Sequence, residues 1–546
     1  MPTVGIPQPP PYKGQNDQFP LFSIQNPYCE RLENFNNKGG SLNLRKGNDR
    51  FAWNFNAATY DSYPVGLFPF KGPTTTNLFL LVRDIASGLN WYDIKNGGSF
   101  TSPSYTKAAG ILENQCRALY VNSYLVFFGS VFMVPSGGVG VQQYSEAGGF
   151  AANTYTWPAA SPNGSTPIPF GGNVYKNRAY FKNFTQAYYM YAEIGAISGT
   201  VTGVDLTGIV SVGSDLYGIK SISVSEATTP NNLQSFIMST GEILVYSGSY
   251  PNAANWQIVS RFVVSEPIYH DTMIDAKGDT FILTKTEILS LRNLYTSGYD
   301  KERDEGIGAS IKNRWSQIMS AIIDDGNEIY VSGAYDQEKD RLIIGLPTWV
   351  DPVTGDVEQR PFQLIYDFDL GCWYEYHQKL QTDTDTFIGT QLAFYDKDSF
   401  VATWDTTNYP VNVMKLDTKT DYIDDNFGTT DTDISISYKI RSAPAPYDKF
   451  GVMITQGLEL IMKSDIYNTM LFKLIGNLGA DETEQQNLEP PAGVDGLVYK
   501  AFVDIGIEGN VVQWELTGDS ASSSYGIQIF ATNLWLGAPS GEGVQR

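Results

Sequence analysis

The side chains of this 546-residue chain best placed to do acid–base chemistry are its paired carboxylates. Asp367 and Asp369 stand two apart in QLIYDFDLGCWYEYH (363–377), which reads as a strand, a turn and an aromatic strand. Residues two apart in a strand project to one face, so this pair could flank a scissile glycosidic bond. Asp383 and Asp385 repeat the spacing in TDTDTF, and Asp324-Asp325 occupy an acidic turn. A plain strand-end or turn role accounts for each pair, and no pair stands out. Trp91, Tyr92, Trp256, Trp373 and Tyr374 could stack on pyranose rings, and packing between strands explains them as well. On this carbohydrate reading the site residues are Asp367, Asp369 and Trp373.

Other chemistries find little support. His270 and His377 are the only histidines, which excludes a multi-histidine metal site and makes a Ser-His-Asp triad a poor expectation. Cys29, Cys116 and Cys372 are odd in number and far apart, so neither a disulfide framework nor a cysteine zinc site is legible. Asp421, Asp424, Asp425, Asp431 and Asp433 could supply oxygen ligands to calcium, but their spacing is not that of an EF-hand loop. No phosphate loop occurs, and Gly306-Ile307-Gly308 follows charged sequence instead of a strand. No cofactor is expected.

The elements that must position these residues are strands. LFLLVRDI (78–85), RALYVNSYLVFFG (117–129), NRAYFKNF (177–184), GEILVYSGS (241–249) and NEIYVSGAYD (327–336) are apolar or aromatic runs. They are bounded mostly by Gly, Asn, Asp or Pro. Turn dipeptides such as Asn96-Gly97, Lys277-Gly278 and Asp325-Gly326 precede or separate such runs, the pattern of antiparallel hairpins. Hairpins recurring at about 40–50 residues predict four-stranded propeller blades. The fold class is therefore all-β: a β-propeller of about six to eight blades over 45–420, at that period. A C-terminal β-sandwich-like domain follows over 434–546, where six strands alternate apolar and polar residues. DYIDDNFGTTDTD (421–433) reads as a linker, and residues 1–44 as an extended N-terminal arm. Pro9, Pro10, Pro11 and Tyr12 stiffen that arm, which could lie on a neighbouring subunit. YTSGYDKERDEGIGASIKNRWSQIM (295–319) departs from the pattern as a charged connector ending in a short helix.

Composition narrows the function. A formal charge of −22 repels phosphate backbones, which disfavours general nucleic-acid binding. Aromatic residues at 13% and hydrophobic ones at 42% exclude wholesale disorder. The longest apolar run, YLVFFGSVFMVP (124–135), is too short for a membrane helix, so no membrane partner is expected. The opening MPTVGIPQPPPYKGQ carries no export signal, which predicts synthesis in a cytoplasm.

One resemblance joins these features. GGSLNLRKGNDRFA (39–52) resembles the Gly…Leu-Arg-x-Gly lead-in to the first blade of the propeller-containing tail proteins of short-tailed bacteriophages. The matching residues are Gly40, Leu44, Arg45 and Gly47. EGIGASIKNRWSQIMSAIIDDGNEIYVSGAYDQEKDRLIIGLP (305–347) resembles a mid-propeller phrase of the same hub, nozzle or DNA-stabilisation proteins. The resemblance covers most of the chain in architecture and carries no catalytic signature. It implies a structural virion tail protein, made in the host cytoplasm, and not an enzyme. Its copies would form a ring, commonly a hexamer, that seals the genome and extends the tail. Its partners would be adaptor or portal-proximal proteins, tail fibres, and double-stranded DNA passing without specific binding. A carbohydrate-binding or glycoside-hydrolysing propeller is the alternative.

Overall fold

Apolar alternation along short runs lays the chain out as hairpins, and these stack into seven sheets around one axis. The computed structural model describes residues 4–8, 13, 15, 29–38, 41–54, 62–84, 88–100, 103–107, 116–128, 141–211, 213–226, 229–297, 306–347, 349–350, 357–358, 362–377, 387–405, 411–418, 423–425, 433–443, 445–446, 453–464, 469–476, 483–488, 490, 497–503, 507–509, 511–520 and 526–537. Blades 1 to 4 are four-stranded antiparallel meanders whose innermost strands are Ser62–Lys71, Arg117–Val121, Pro169–Tyr175 and Leu216–Glu226. Blade 5 has three strands among the described residues, starting with Met273–Ala276. Blades 6 and 7 start with Ser332–Asp336 and Phe387–Tyr395. The expected propeller is thus present, with seven blades among the described residues. Asn122-Ser123, Lys176-Asn177, Lys277-Gly278 and Asp396-Lys397 turn their hairpins with two consecutive positive-φ residues, the turn that matches strand twist.

Two glycines let the inner strands approach. A Cβ on Gly333 would lie 2.0 Å from Ile274 Cδ1, and one on Gly218 would lie 2.2 Å from Met273 Sδ. Both contacts cross from one blade to the next. Along the chain between blades 5 and 6 run helices α1 (Leu291–Ser297), which packs on blades 4 and 5, and α2 (Lys312–Asp324). The apolar face of α2 buries Trp315, Ile318, Met319 and Ile322 against blades 5 and 6.

The ring is closed by sequence from its far end. Asp49–Asn54 pairs antiparallel with Val411–Lys415, Ala52 opposite Val413, and becomes the fourth strand of blade 7. Ahead of it, the segment expected as an arm is built into the fold from Cys29 onward. Phe35–Lys38 and Ser41–Leu44 join one sheet of the terminal domain, and Val4–Gln8 pairs with Gln528–Gly537 in the same sheet. Pro9, Pro10, Pro11 and Tyr12 lie outside the described residues.

All six strands expected in the terminal domain form, and Thr483–Leu488 adds another inside the expected polar excursion. The two sheets enclose Phe35, Leu458, Leu460, Phe472 and Leu516, all with no exposed surface. The strand Cys29–Glu33 then joins the domains. It runs parallel to the last strand of blade 6 at Glu33–Glu375 and antiparallel to Asp433–Ser442, with Leu32 opposite Ile440. One sheet therefore continues from blade 6 through eleven strands into the terminal domain. The apolar cluster is continuous as well, since it includes Ile365 and Tyr374 of blade 6 and Val401 and Met414 of blade 7.

Arg45 ties this junction. Its fully buried guanidinium forks onto Asp424, donating to Oδ1 at 2.8 Å and Oδ2 at 2.5 Å. It also donates to Asn34 Oδ1 at 2.8 Å and to the His377 carbonyl at 3.1 Å. Asn34, at φ 60°, donates back to the carbonyls of His377 and Ser437. Burial opposes the arginine's charge, but Asp424 more than restores it, so the guanidinium is held above its ordinary pKa. Asp424 belongs to a short strand, Ile423–Asp425, within the segment expected as a linker. Removing one partner of a buried ion pair costs about 3–5 kcal/mol. Arg45→Ala should lower unfolding free energy by about that amount in denaturant titrations. Asp424→Ala should match it, and the double variant should cost less than the sum of the two; additive costs would show the pair is not coupled.

Candidate functional site

The innermost strands leave a cavity of about 230 Å³ on the propeller axis, with lining residues from all seven blades. Its polar wall includes Arg117 of blade 2, Lys220 of blade 4, Ser332 of blade 6 and Gln391 of blade 7. Asp271 lines it from the loop entering blade 5. A space of this volume holds a few waters or one small solute, at about 30 Å³ per water. It does not pass a double helix, whose major groove alone is about 12 Å wide.

Behind this wall lies a buried charge cluster. Lys182, in the second strand of blade 3, has no exposed surface. Its ammonium lies 3.2 Å from Asp271 Oδ2 and 3.0 Å from His270 Nδ1, and 4.6 Å from the centre of the Phe170 ring. Asp271 holds a left-handed φ of 53°, and Gly171 makes room for its carboxylate. A Cβ on Gly171 would sit 2.0 Å from Asp271 Oδ2. The His270 ring is boxed by Phe170, Phe184, Tyr217 and Tyr269, with centroids 4.2–5.4 Å away. Burial, then Lys182 and Arg117, push the imidazole far below its ordinary pKa, so it is neutral. Burial also lowers Lys182 to about 8, against the pull of Asp271 and with a further push from Arg117. Farther along the axis, Lys220 pairs with Asp275 at 2.7 Å, from blade 4 to blade 5. Cations thus come from blades 2, 3 and 4 and face carboxylates held by blade 5 and its entry loop.

The residues singled out for carbohydrate chemistry do not meet here. Asp367 ends a blade 6 strand and is buried, accepting from Tyr374 Oη at 2.6 Å and pairing with Arg341 at 3.3 Å. Asp369 lies in the following turn, exposed, so the two carboxylates do not share a strand face. Trp373 is wholly buried and donates its indole N–H to the Ile307 carbonyl at 2.6 Å. Trp91 and Tyr374 are wholly buried too, and Tyr92 nearly so. These rings pack blades and offer no stacking platform. Trp91 lies in the third strand of blade 1 and Trp373 in the fourth strand of blade 6. Asp324 ends helix α2, with Asp325 just past it. Asp383 and Asp385 lie outside the described residues, and of the Asp-rich stretch only Asp424 has a described side chain, committed to Arg45.

One further group was not legible in the sequence. Glu33, Glu375 and His377 bring three potential ligand atoms within 4.8 Å at the bridging strand. Cations already sit on these carboxylates, with Arg31 3.2 Å from Glu33 and Arg314 3.6 Å from Glu375. Gln15 donates to Glu375 at 2.9 Å, and His377 lies 3.0 Å from its other oxygen. Burial opposes ionisation of Glu375, and Arg314 overcomes it, aided by His377 and Arg31, so its pKa is lowered. With two arginines balancing two carboxylates, the donor set does not fit a resident divalent ion. The axial cluster was missed as well. Its signal was present in NRAYFKNF, where Lys182 interrupts an aromatic strand core.

No protein-family profile matches the chain, and no curated protein matches it. Among solved structures it is similar to an exo-β-1,3-galactanase from Phanerochaete chrysosporium, at 11% identity and TM-score 0.27, covering 77% of this chain and 95% of that one. It is similar to the Trypanosoma rangeli sialidase at 9% identity and TM-score 0.29, covering 94% and 95%. It is similar to Chaetomium thermophilum Raptor at 11% identity and TM-score 0.35, covering 68% of this chain and 29% of that one. At these scores the likenesses carry no argument about what this chain binds or does.

The low pKa of Lys182 fixes a sign for stability. Its unfolded pKa is about 10.4, above the folded value of about 8. Between those values the unfolded chain binds more protons, so this group's contribution to stability rises with pH. Melting temperatures of the parent and Lys182→Met proteins, taken from pH 7.5 to 10, should show the parent gaining on the variant. A constant difference across that window would refute the buried-ammonium account.

Proposed function

We propose that the chain is a non-enzymatic structural subunit that assembles into a ring, as in the tail hub or nozzle of a short-tailed bacteriophage. The observation that carries this reading is the place of Arg45. The Leu44-Arg45-x-Gly47 phrase behind the resemblance forms the buried node where blade 6, the ring-closing strand and the terminal domain meet. A single sheet crossing that node makes a stiff unit suited to bearing load, and the propeller axis is not the path for DNA. On this reading DNA passes between copies of the chain, whose charge of −22 keeps the duplex from adhering. Adaptor proteins, fibres and the hexameric count belong to the same proposal.

A carbohydrate-directed propeller is the second reading, favoured by one observation: the axial cavity is polar and holds a carboxylate. That cavity relocates the alternative to Asp271, away from Asp367, Asp369 and Trp373.

Quantitative mass spectrometry of density-purified particles from the source separates the two readings. The structural reading expects a fixed copy number per particle, at a multiple of six per portal as the resemblance implies. Protein found only free in the lysate would overturn it. In that case a glycan array with the parent and Asp271→Asn proteins would test the second reading, which requires binding that the substitution abolishes.

A further inference from the structure

We infer that the outer edge of blade 4 and the open edge of the terminal domain form a head-to-tail contact between copies of this chain, an inference that rests on the ring-subunit reading above. Ten large apolar side chains are exposed among the described residues, and six of them fall on these two edges. Ile258, Val259 and Val263 stand on Gln257–Val263, the outermost strand of blade 4. Leu497, Val498 and Phe502 stand on Val498–Val503 and the residue before it, at the end of one terminal sheet. Among the described residues each strand pairs on one side only, Gln257–Val263 with Glu242–Ser247 and Val498–Val503 with Met453–Lys463. Open sheet edges are ordinarily kept short or charged. The outer strands of blades 1, 2 and 3 run for three or four residues, whereas that of blade 4 runs for seven. A register shift opposite Val245 and Tyr246 leaves the consecutive Ile258 and Val259 both exposed.

Charge and position commit the occupant to a second copy. The chain carries −22, yet neither 257–263 nor 497–503 holds a carboxylate. The one cation of each edge, Arg261 or Lys500, is met by a glutamate of its own chain, Glu242 or Glu459. Copies that repel one another over most of their surface can therefore meet at these edges without burying an uncompensated charge. The two edges also match in length and character, each carrying three exposed apolar side chains. The terminal domain is joined to blades 6 and 7, so blade 4 stands two to three blades away round the propeller. Two different patches on separate sides of one chain make a heterologous contact, which closes into a ring when the rotation between copies allows it. Each copy in such a ring is held twice, so neither contact has to be strong by itself.

Analytical ultracentrifugation of the full chain tests the contact. The parent should self-associate as its concentration rises. Val263→Asp and Phe502→Asp should each weaken that association at least about tenfold, because each sets an unpaired charge into an apolar contact. Ile194→Asp, at an exposed position of blade 3 away from both edges, should leave it unchanged. Mixed in equal amounts, the Val263→Asp and Phe502→Asp proteins should form a one-to-one dimer, since each keeps the edge that the other has lost. Melting temperatures equal to the parent's establish that the variants fold; if either does not, Val263→Ser and Phe502→Ser replace the pair. Parental association in either variant, or a mixture that stays monomeric, would overturn this contact and leave the ring-subunit reading standing. A parent that stays monomeric throughout would also overturn the contact, and the copy number in particles then decides the ring-subunit reading separately.

Discussion

Much of the molecule's geometry depends on the buried fork of Arg45 on Asp424. A guanidinium with no access to water is tolerable only when its hydrogen bonds are made and its charge is met. Meeting those demands draws Asn34, the His377 carbonyl and the Ile423–Asp425 strand to one point. Lys46 and Asn48, on either side of Gly47, extend the same network. The Lys46 amide donates to Asp417, and the Asn48 amide donates to Asp424. The strand after them, Asp49–Asn54, then leaves at the position needed to close blade 7. Ring closure and domain attachment are thus consequences of one electrostatic requirement.

The propeller axis follows a different rule. Inner strands from seven blades crowd together, and glycines at 171, 218 and 333 let neighbouring side chains take the space. Charges enter this crowded region as matched pairs, Lys182 of blade 3 with Asp271 of the loop entering blade 5 and Lys220 of blade 4 with Asp275 of blade 5. Such pairs add little net stability, since desolvation offsets most of the attraction. The value of the buried pair is in register: displacing blade 3 against the loop entering blade 5 would leave the Lys182 ammonium buried and alone. His270 stays neutral inside its aromatic box and so adds no third charge to the cluster.

The β architecture was legible because short strands and turn dipeptides act locally. Lys277-Gly278 was readable as a turn from its residue types, and the six terminal strands from their alternation. What could not be read was pairing between residues far apart in the chain. Nothing local to Cys29–Glu33 says that it will join Glu375 on one side and Ile440 on the other. For the same reason the first 44 residues read as an arm, although most of their described part is strand. Asp367 and Asp369 looked like a same-face pair because a strand was extended two residues too far, across its turn. Aromatic residues were ambiguous in principle: Trp373 has the same sequence appearance whether it stacks on a sugar or fills a core.

The closing strand of blade 7 has a consequence for synthesis. Asp49–Asn54 leaves the ribosome long before its partner, Val411–Lys415, exists. Through that interval the growing chain carries an unpaired, apolar-containing edge at its front and a propeller that cannot yet become a ring. Edges of this kind recruit wrong partners, and contacts this distant in sequence form slowly. The chain's strong negative charge then acquires a second role, as mutual repulsion that holds unfinished copies apart until each can close on itself.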